Sequence, residues 1–251
     1  SAHEDQTGSD SQPGTTVSTA IVTGGSMGFG KALATELATQ DWNLVIDGRN
    51  RGVLDEAGHF LESIGSGKTH AIAGDVADQG HRTEMVDAAV EFGDFRVLVN
   101  NASTLGPSPQ PSLGDYPIDQ LRAVFEVNIL GPLALIQLAV PHLRASRGTV
   151  VNMTSDAAIE AYQGWGGYGS SKAALEQMSK VLAAEEPDIT VYWFDPGDML
   201  TRMHQDAFPG EDISDRPPPE SRVPAIIDLL TGGFPSGRYT AEWFLNRSAV
   251  K

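Results

Sequence analysis

Six short β-type runs alternate with helix-length segments along most of the chain, and this rhythm limits the fold more than any other feature. The runs are Ala20-Ile21-Val22, Leu44-Val45-Ile46, 70–73, Val97-Leu98-Val99, 149–152 and 190–194. Between them, 31–40, 53–64, 79–92, 119–145 and 168–186 carry apolar residues at i, i+3, i+4 spacing; Leu33, Leu37 and Ala38 show it, as do Leu175, Met178 and Leu182. Short apolar strands alternating with helices mean βαβ crossovers and a parallel sheet covered on both faces. The pattern predicts one doubly wound α/β domain over 17–251, with a parallel sheet of about seven strands. After Pro196 the rhythm breaks: 198–219 is interrupted by Pro and Gly and is too long for an ordinary connection, so it is expected to be a substrate lid. A helix at about 220–231 and a last strand at about 238–245 are expected to close the domain.

The chain has 251 residues, a length that an open α/β sheet often uses as a single domain. Its 17 Lys and Arg stand against 33 Asp and Glu, a formal net charge of −16. Nucleic acid and anionic membrane are polyanions, so neither is expected as the main partner; a small-molecule substrate is. The absence of cysteine excludes a disulfide framework, a Cys-zinc site and a thiol nucleophile. No His or carboxylate accompanies His204 at metal-ligand spacing, so no metal site is expected. Residues 1–16 are polar and lack bulky apolar side chains, which predicts a disordered tail. They show no basic-then-apolar leader pattern, and no 18-residue apolar run occurs, so the expected location is the cytoplasm.

The first predicted strand runs into Thr23-Gly24-Gly25-Ser26-Met27-Gly28-Phe29-Gly30 and then a helix. Glycines let the backbone turn with positive φ and approach a pyrophosphate closely, and the helix N-terminus offers unpaired N–H groups. The spacing Gly24-x-x-x-Gly28-x-Gly30 resembles the T-G-x-x-x-G-x-G of the short-chain dehydrogenase/reductase family, and the resemblance covers nearly all of 17–245. It implies a Rossmann-type fold and an NAD(P) cofactor held by Gly24, Ser26, Met27, Gly28, Phe29 and Gly30. At the end of the second strand two residues compete to read the adenosine ribose. Asp47 suits the 2′-hydroxyl of NAD(H), and Arg49, in a Gly-Arg pair, suits the 2′-phosphate of NADP(H). Arg49 is the preferred reader and NADP(H) the preferred cofactor, with NAD(H) as the alternative. By the same resemblance Asp75 and Val76 touch adenine. Asn100 and Ala102 belong to an Asn-Asn-Ala-Ser stretch where the family has Gly in place of Ser103. Pro196, Gly197 and Thr201 match the family's P-G-x-x-x-T, which holds the nicotinamide amide and phosphate.

Tyr168-Gly-Ser-Ser-Lys172 matches the family's Y-x-x-x-K, and on a helix i and i+4 share one face. Ser155 stands 13 residues upstream and Asn128 lies in the preceding helix, so Asn128, Ser155, Tyr168 and Lys172 match the family's catalytic tetrad in order and spacing. A ketone accepting hydride develops negative charge on oxygen and needs a proton donor; a nearby ammonium is expected to draw the Tyr168 pKa down from about 10 towards neutrality. Ser155 is expected to hold the carbonyl oxygen. By resemblance, Tyr168 and Lys172 also contact the cofactor, and Asn128 supports a water that relays protons to Lys172. Asp156, Tyr162, Trp165, Met199, Met203, His204 and Phe208 are candidates for a roomy, partly aromatic pocket. The reading is an NADP(H)-dependent oxidoreductase for a carbonyl/alcohol pair, with a homodimer through 119–145 and 168–186 expected. Its rivals are an NAD-dependent member of the family, a non-catalytic dinucleotide-binding regulator, and a methyltransferase on a similar sheet.

Overall fold

The computed structural model describes residues 16–250; except for Thr16, the predicted tail lies outside the described residues. Seven strands form one all-parallel sheet: β1 (Thr19–Val22), β2 (Asn43–Gly48), β3 (Thr69–Ala73), β4 (Phe95–Asn100), β5 (Thr149–Met153), β6 (Thr190–Asp195) and β7 (Gly237–Thr240). Their order is β3-β2-β1-β4-β5-β6-β7, as the strand rhythm predicts for a doubly wound domain. The helices are α1 (Gly28–Thr39), α2 (Arg51–Ile64), α3 (Gln79–Phe92), α4 (Ile118–Phe125), α5 (Gly131–Ser146), α6 (Gly166–Glu185), α7 (Arg202–Ala207), α8 (Val223–Thr231) and α9 (Ala241–Ser248).

Strand side chains alternate between two cores. Ala20, Val22, Leu44, Ile46, Val97 and Val99 face α1, α2, α8 and α9, where Leu33, Leu54, Ile226 and Phe244 meet them. Ile21, Val45, Leu98, Val150 and Val191 face α3, α5 and α6 and pack on Met85, Leu135, Leu143 and Leu182. With both faces buried, the strands need continuous apolar runs, and this is why they stood out in the sequence. Asn50 and Asp78 start α2 and α3 by accepting from Val53 N at 3.1 Å and His81 N at 2.8 Å.

The predicted helix 119–145 is one helical rod, α4 and α5 joined through a π turn over Glu126–Leu130 that carries Asn128. By length and composition alone Ile118–Ser146 would suffice to cross a membrane. In this fold Leu135, Ile136, Ala139 and Leu143 spend that apolar character on the core.

Two expectations need correction. The last strand does not run over 238–245: β7 stops at Thr240, whose Oγ1 accepts from Trp243 N at 3.1 Å and caps α9. The aromatic run reads as β-type, but Ala241 and Phe244 recur at helical spacing and are buried, while Trp243 is 41% exposed. The 198–219 segment is not all loop, since α7 lies within it, capped by Thr201 Oγ1 accepting from His204 N at 3.2 Å. Phe244→Ala is expected to cost about 3–5 kcal/mol in urea unfolding. Trp243→Ala is expected to cost clearly less, an order that a strand with Trp243 facing inward would reverse.

Candidate active site

The loops at the carboxyl ends of β1, β2, β4, β5 and β6 meet at one edge of the sheet. Thr23 Oγ1 accepts from Asn101 N at 2.9 Å and Ala102 N at 2.8 Å, and Asn101 Nδ2 donates to Thr23 O at 3.0 Å. The loop after β1 is thus fastened to the loop after β4. Gly24 and Gly28 have φ of +63° and +58°, and a Cβ on Gly30 would collide with Gly24 O and the Asn101 amide. Met27 begins α1 without a side-chain cap, leaving the first helical N–H groups free for an anion. Phe29 is buried against Phe194, and Ser26 is buried beside Gly48. Thr201 Cγ2 comes within 3.7 Å of the space beside Gly28. Asn100 Nδ2 donates to Asn152 Oδ1 at 2.9 Å, while Asn100 Oδ1 is buried with no partner among the described residues. A glycine path, unsatisfied helix N–H groups and an orphaned carbonyl oxygen fit a dinucleotide.

Asp47 and Arg49 stand in different surroundings. Asp47 is buried; its Oδ1 accepts from Gly24 N at 2.7 Å and its Oδ2 bonds His81 Nε2 at 2.8 Å. One oxygen holds the phosphate loop and the other ties β2 to α3. Arg49 stands exposed just beyond β2. Asp75 Oδ1 accepts from Ala77 N at 2.9 Å, and Val76 is buried. Ser103 takes the family's Gly position without a positive φ.

Ser155 lies two residues beyond β5; its Oγ accepts from Ala157 N at 3.1 Å and donates to Asp156 Oδ1 at 3.2 Å. Tyr168 and Lys172 project from α6 and are 8% and 2% exposed. Lys172 Nζ donates to Met153 O at 3.0 Å and lies 5.5 Å from the Tyr168 ring centre. Ser155 and Tyr168 line one cavity of about 320 Å³, together with Pro196, Gly197 and Thr201. Asn128 is fully buried and engaged elsewhere: its Oδ1 accepts from Thr104 N at 2.8 Å, and its Nδ2 donates to Thr104 O and Ser171 Oγ. None of these bonds reaches Ser155, Tyr168 or Lys172. Asp156, Tyr162, Trp165, Met199, Met203, His204 and Phe208 all line the cavity, as expected.

The expected lowering of the Tyr168 pKa is corrected. Burial pushes the phenol up to about 12; the Ser103 hydroxyl beside it pulls the other way, and the Asp195 and Asp156 carboxylates raise it further. Burial draws the Lys172 pKa down to about 8.

Four residues, Arg238, Glu176, Asp195 and Arg222, escaped the sequence. Arg238 in β7 donates Nε to Glu176 Oε1 at 2.9 Å and Nη2 to Ser155 O at 3.3 Å and Asp195 Oδ2 at 3.4 Å. Glu176 also accepts from Thr154 Oγ1 at 2.8 Å, and Asp195 Oδ1 accepts from Gly197 N at 2.9 Å. One guanidinium therefore ties the ends of β5 and β6 to α6. Burial raises the Asp195 pKa, opposed by Gly197 N–H and Arg238. Glu176 was findable, four residues beyond Lys172 on the same face; Arg238 was not. Arg222 approaches Gly197, and among the described residues its guanidinium forms no hydrogen bond or ion pair, with Nε buried.

Fold and site together define a dinucleotide-dependent oxidoreductase. The short chain dehydrogenase family model matches residues 18–212, and the chain belongs to this family of NAD(P)-dependent, Rossmann-fold enzymes. A diacetyl reductase [(S)-acetoin forming] of Staphylococcus epidermidis is 33% identical over 190 residues, covering 74% of this chain and 72% of the relative. A short chain dehydrogenase structure from Pseudomonas syringae superposes with a TM-score of 0.83 at 27% identity, covering 89% of this chain and 94% of the other. An alcohol dehydrogenase from Thermococcus sibiricus, complexed with 5-hydroxy-NADP, shares the fold with a TM-score of 0.80 at 23% identity, covering 89% of this chain and 95% of the other.

Arg238→Met leaves two buried carboxylates facing each other without their cation. It is expected to destabilise the fold by about 3 kcal/mol or more, read from the urea midpoint. Lys172 gives a pH signature. Its folded pKa of about 8 lies below the ordinary 10.5, so between these values the unfolded chain holds one proton more. The stability of the native chain relative to Lys172→Met is therefore expected to rise by about 3 kcal/mol as pH climbs through that window, and to be flat below it.

Proposed function

We propose that the chain interconverts a ketone or aldehyde and an alcohol, using NADP(H), with Tyr168 as general acid/base. The observation that carries the reading is the convergence of Ser155 and Tyr168 on one cavity, with the Lys172 ammonium behind the phenol and Gly197 and Thr201 beside it. The dinucleotide, when bound, supplies or removes the hydride at the carbonyl carbon. The protein's residues handle the oxygen and its proton. Ser155 Oγ donates to the carbonyl oxygen and holds it where negative charge develops. Tyr168 delivers its phenolic proton to that oxygen in reduction and recovers it in oxidation. Burial keeps Tyr168 protonated throughout the neutral range, which is the state reduction requires; oxidation needs the phenolate and gains from alkaline pH. With a pKa of about 8, Lys172 exchanges a proton near neutrality at little cost. Asn128, in its π turn, fixes Thr104 and Ser171 around this machinery and is assigned the support of a proton-relaying water.

For the cofactor, the buried, hydrogen-bonded carboxylate of Asp47 and the exposed Arg49 support NADP(H) over NAD(H). Gly24, Ser26, Met27, Gly28, Phe29 and Gly30 are assigned the phosphates, with the unpartnered Arg222 as a further cation. Asp75, Val76, Asn100 and Ala102 are assigned the adenosine half, and Pro196, Gly197 and Thr201 the nicotinamide half. Residues 17–251 make one catalytic domain in this reading, with 198–219 as its lid. The exposed Leu130 and Leu138 on the α4–α5 rod and Val181 on α6 favour a homodimer across these helices.

Tyr168→Phe is expected to lower kcat by about 10²–10⁴ while NADPH titration gives a Kd within about twofold of native. Turnover within threefold of native would remove the assigned role. Arg49→Ala is expected to weaken NADPH about 10- to 100-fold and leave NADH roughly unchanged, measured by fluorescence titration. Native preference for NADH would return the ribose to another residue.

A further inference from the structure

The cavity that holds Ser155 and Tyr168 has a composition that discriminates among carbonyl compounds. Part of its roughly 320 Å³ lies against Pro196, Gly197 and Thr201, assigned above to the nicotinamide, and the remainder suits a substrate built on one ring. Trp165 packs edge-on to Tyr168 at 5.7 Å between ring centres and meets Phe208 at 6.1 Å. Met199, Met203 and Leu105 continue this apolar wall.

The charges around the wall have one sign. Asp156, Asp195 and Asp198 line the cavity, and among the described residues no Lys or Arg does. Of the nearby cations, Lys172, Arg238 and Arg216 are turned to other work. Lys172 donates to Met153 O, and Arg238 to Glu176, Ser155 O and Asp195. Arg216 Nε donates to His204 Nε2 at 3.1 Å, and Arg222 approaches Gly197 without lining the cavity. His204 accepts that bond as a neutral ring, since burial pulls its pKa below the usual value. Tyr162 Oη donates to Asp156 Oδ2 at 2.8 Å, which orients the carboxylate without neutralising it. Among the described residues neither Asp156 nor Asp198 forms an ion pair.

Resting on the carbonyl/alcohol reading, we propose that this site takes bulky aromatic or alicyclic carbonyl compounds that are cationic or uncharged, and rejects carboxylates and phosphates. Three features combine: ring-sized volume, aromatic faces that attract a cation, and two unpaired carboxylates beside the reacting oxygen. An anionic substrate would meet Asp156 and Asp198 with no Lys or Arg on the cavity lining among the described residues. A basic nitrogen on the substrate would meet the same carboxylates and the Trp165 and Phe208 rings.

Three ketones of one frame test this: the 4-acetylphenyltrimethylammonium ion, acetophenone and 4-acetylbenzoate. Binding to the full chain is measured by calorimetry with and without NADPH, and turnover separately with NADPH. The expected result is a Kd for the cation at least tenfold below that for the carboxylate, with acetophenone between them. In Asp156→Asn/Asp198→Asn, with both changes at exposed side chains, the gap is expected to close to within about threefold. A carboxylate that binds as well as the cation, a gap unmoved in the double variant, or failure of all three to bind overturns the proposal. Binding in the expected order without turnover of any of the three leaves the charge selection standing and removes the carbonyl/alcohol reading. Turnover of acetophenone with no charge order does the reverse.

Discussion

Strand β1 has β2 on one side and β4 on the other, although β4 begins more than seventy residues later in the chain. At this reversal of strand order the loops leaving β1 and β4 turn away from each other and open a crevice. Their bases are stitched together by Thr23 and Asn101, and the far wall is fixed by Asp47, which reaches from β2 to Gly24 N. A phosphate loop with positive φ at Gly24 and Gly28 keeps its shape only because these bonds hold it. The N-terminus of α1 inherits its aim from the same contacts.

The other half of the crevice depends on a single cation. Arg238 comes from the last strand, far in sequence from Ser155, yet it joins the ends of β5 and β6 to α6. Glu176 and Asp195 are both largely buried, and each also takes a hydrogen bond from a segment beside the cavity, Thr154 or Gly197. Such a network is costly to assemble and costly to break, so it fixes a geometry more than it adds net stability. A β7 strand of four residues is enough to deliver it, and α9 then anchors the strand through Phe244.

Burial sets the protonation states. A phenol with almost no water around it holds its proton, and an ammonium in the same place gives its proton up more readily, so one cause, burial, moves the two pKa values apart. The i, i+4 spacing placed Tyr168 and Lys172 on one face, and from that alone mutual attraction looked dominant. The tertiary structure supplies the desolvation that outweighs it and turns Lys172 towards the Met153 carbonyl.

The strand rhythm, the parallel sheet and the path of the phosphate loop were legible in the sequence, because each rests on local chemistry. Strands buried on both faces require apolar runs, and positive φ requires glycine at Gly24 and Gly28. The Tyr168–Lys172 pair and Ser155 were legible through spacing, since a helix turn and a strand end fix their relative positions. The strand reading of 238–245 failed because an aromatic run satisfies either period until the Thr240 cap and the pocket for Phe244 decide. Asp47 and Arg49 both suit a ribose by their place after the second strand; the bonds of Asp47 to Gly24 and to His81 in α3 join segments that no local pattern brings together. Arg238 and Arg222 were invisible for the same reason: a guanidinium gains its role from carboxylates and carbonyls, or from their absence, brought around it by distant segments. The sequence by itself determined which backbone each segment prefers; only the tertiary structure decided which polar groups are already satisfied and which remain free to bind, because that accounting is made in three dimensions.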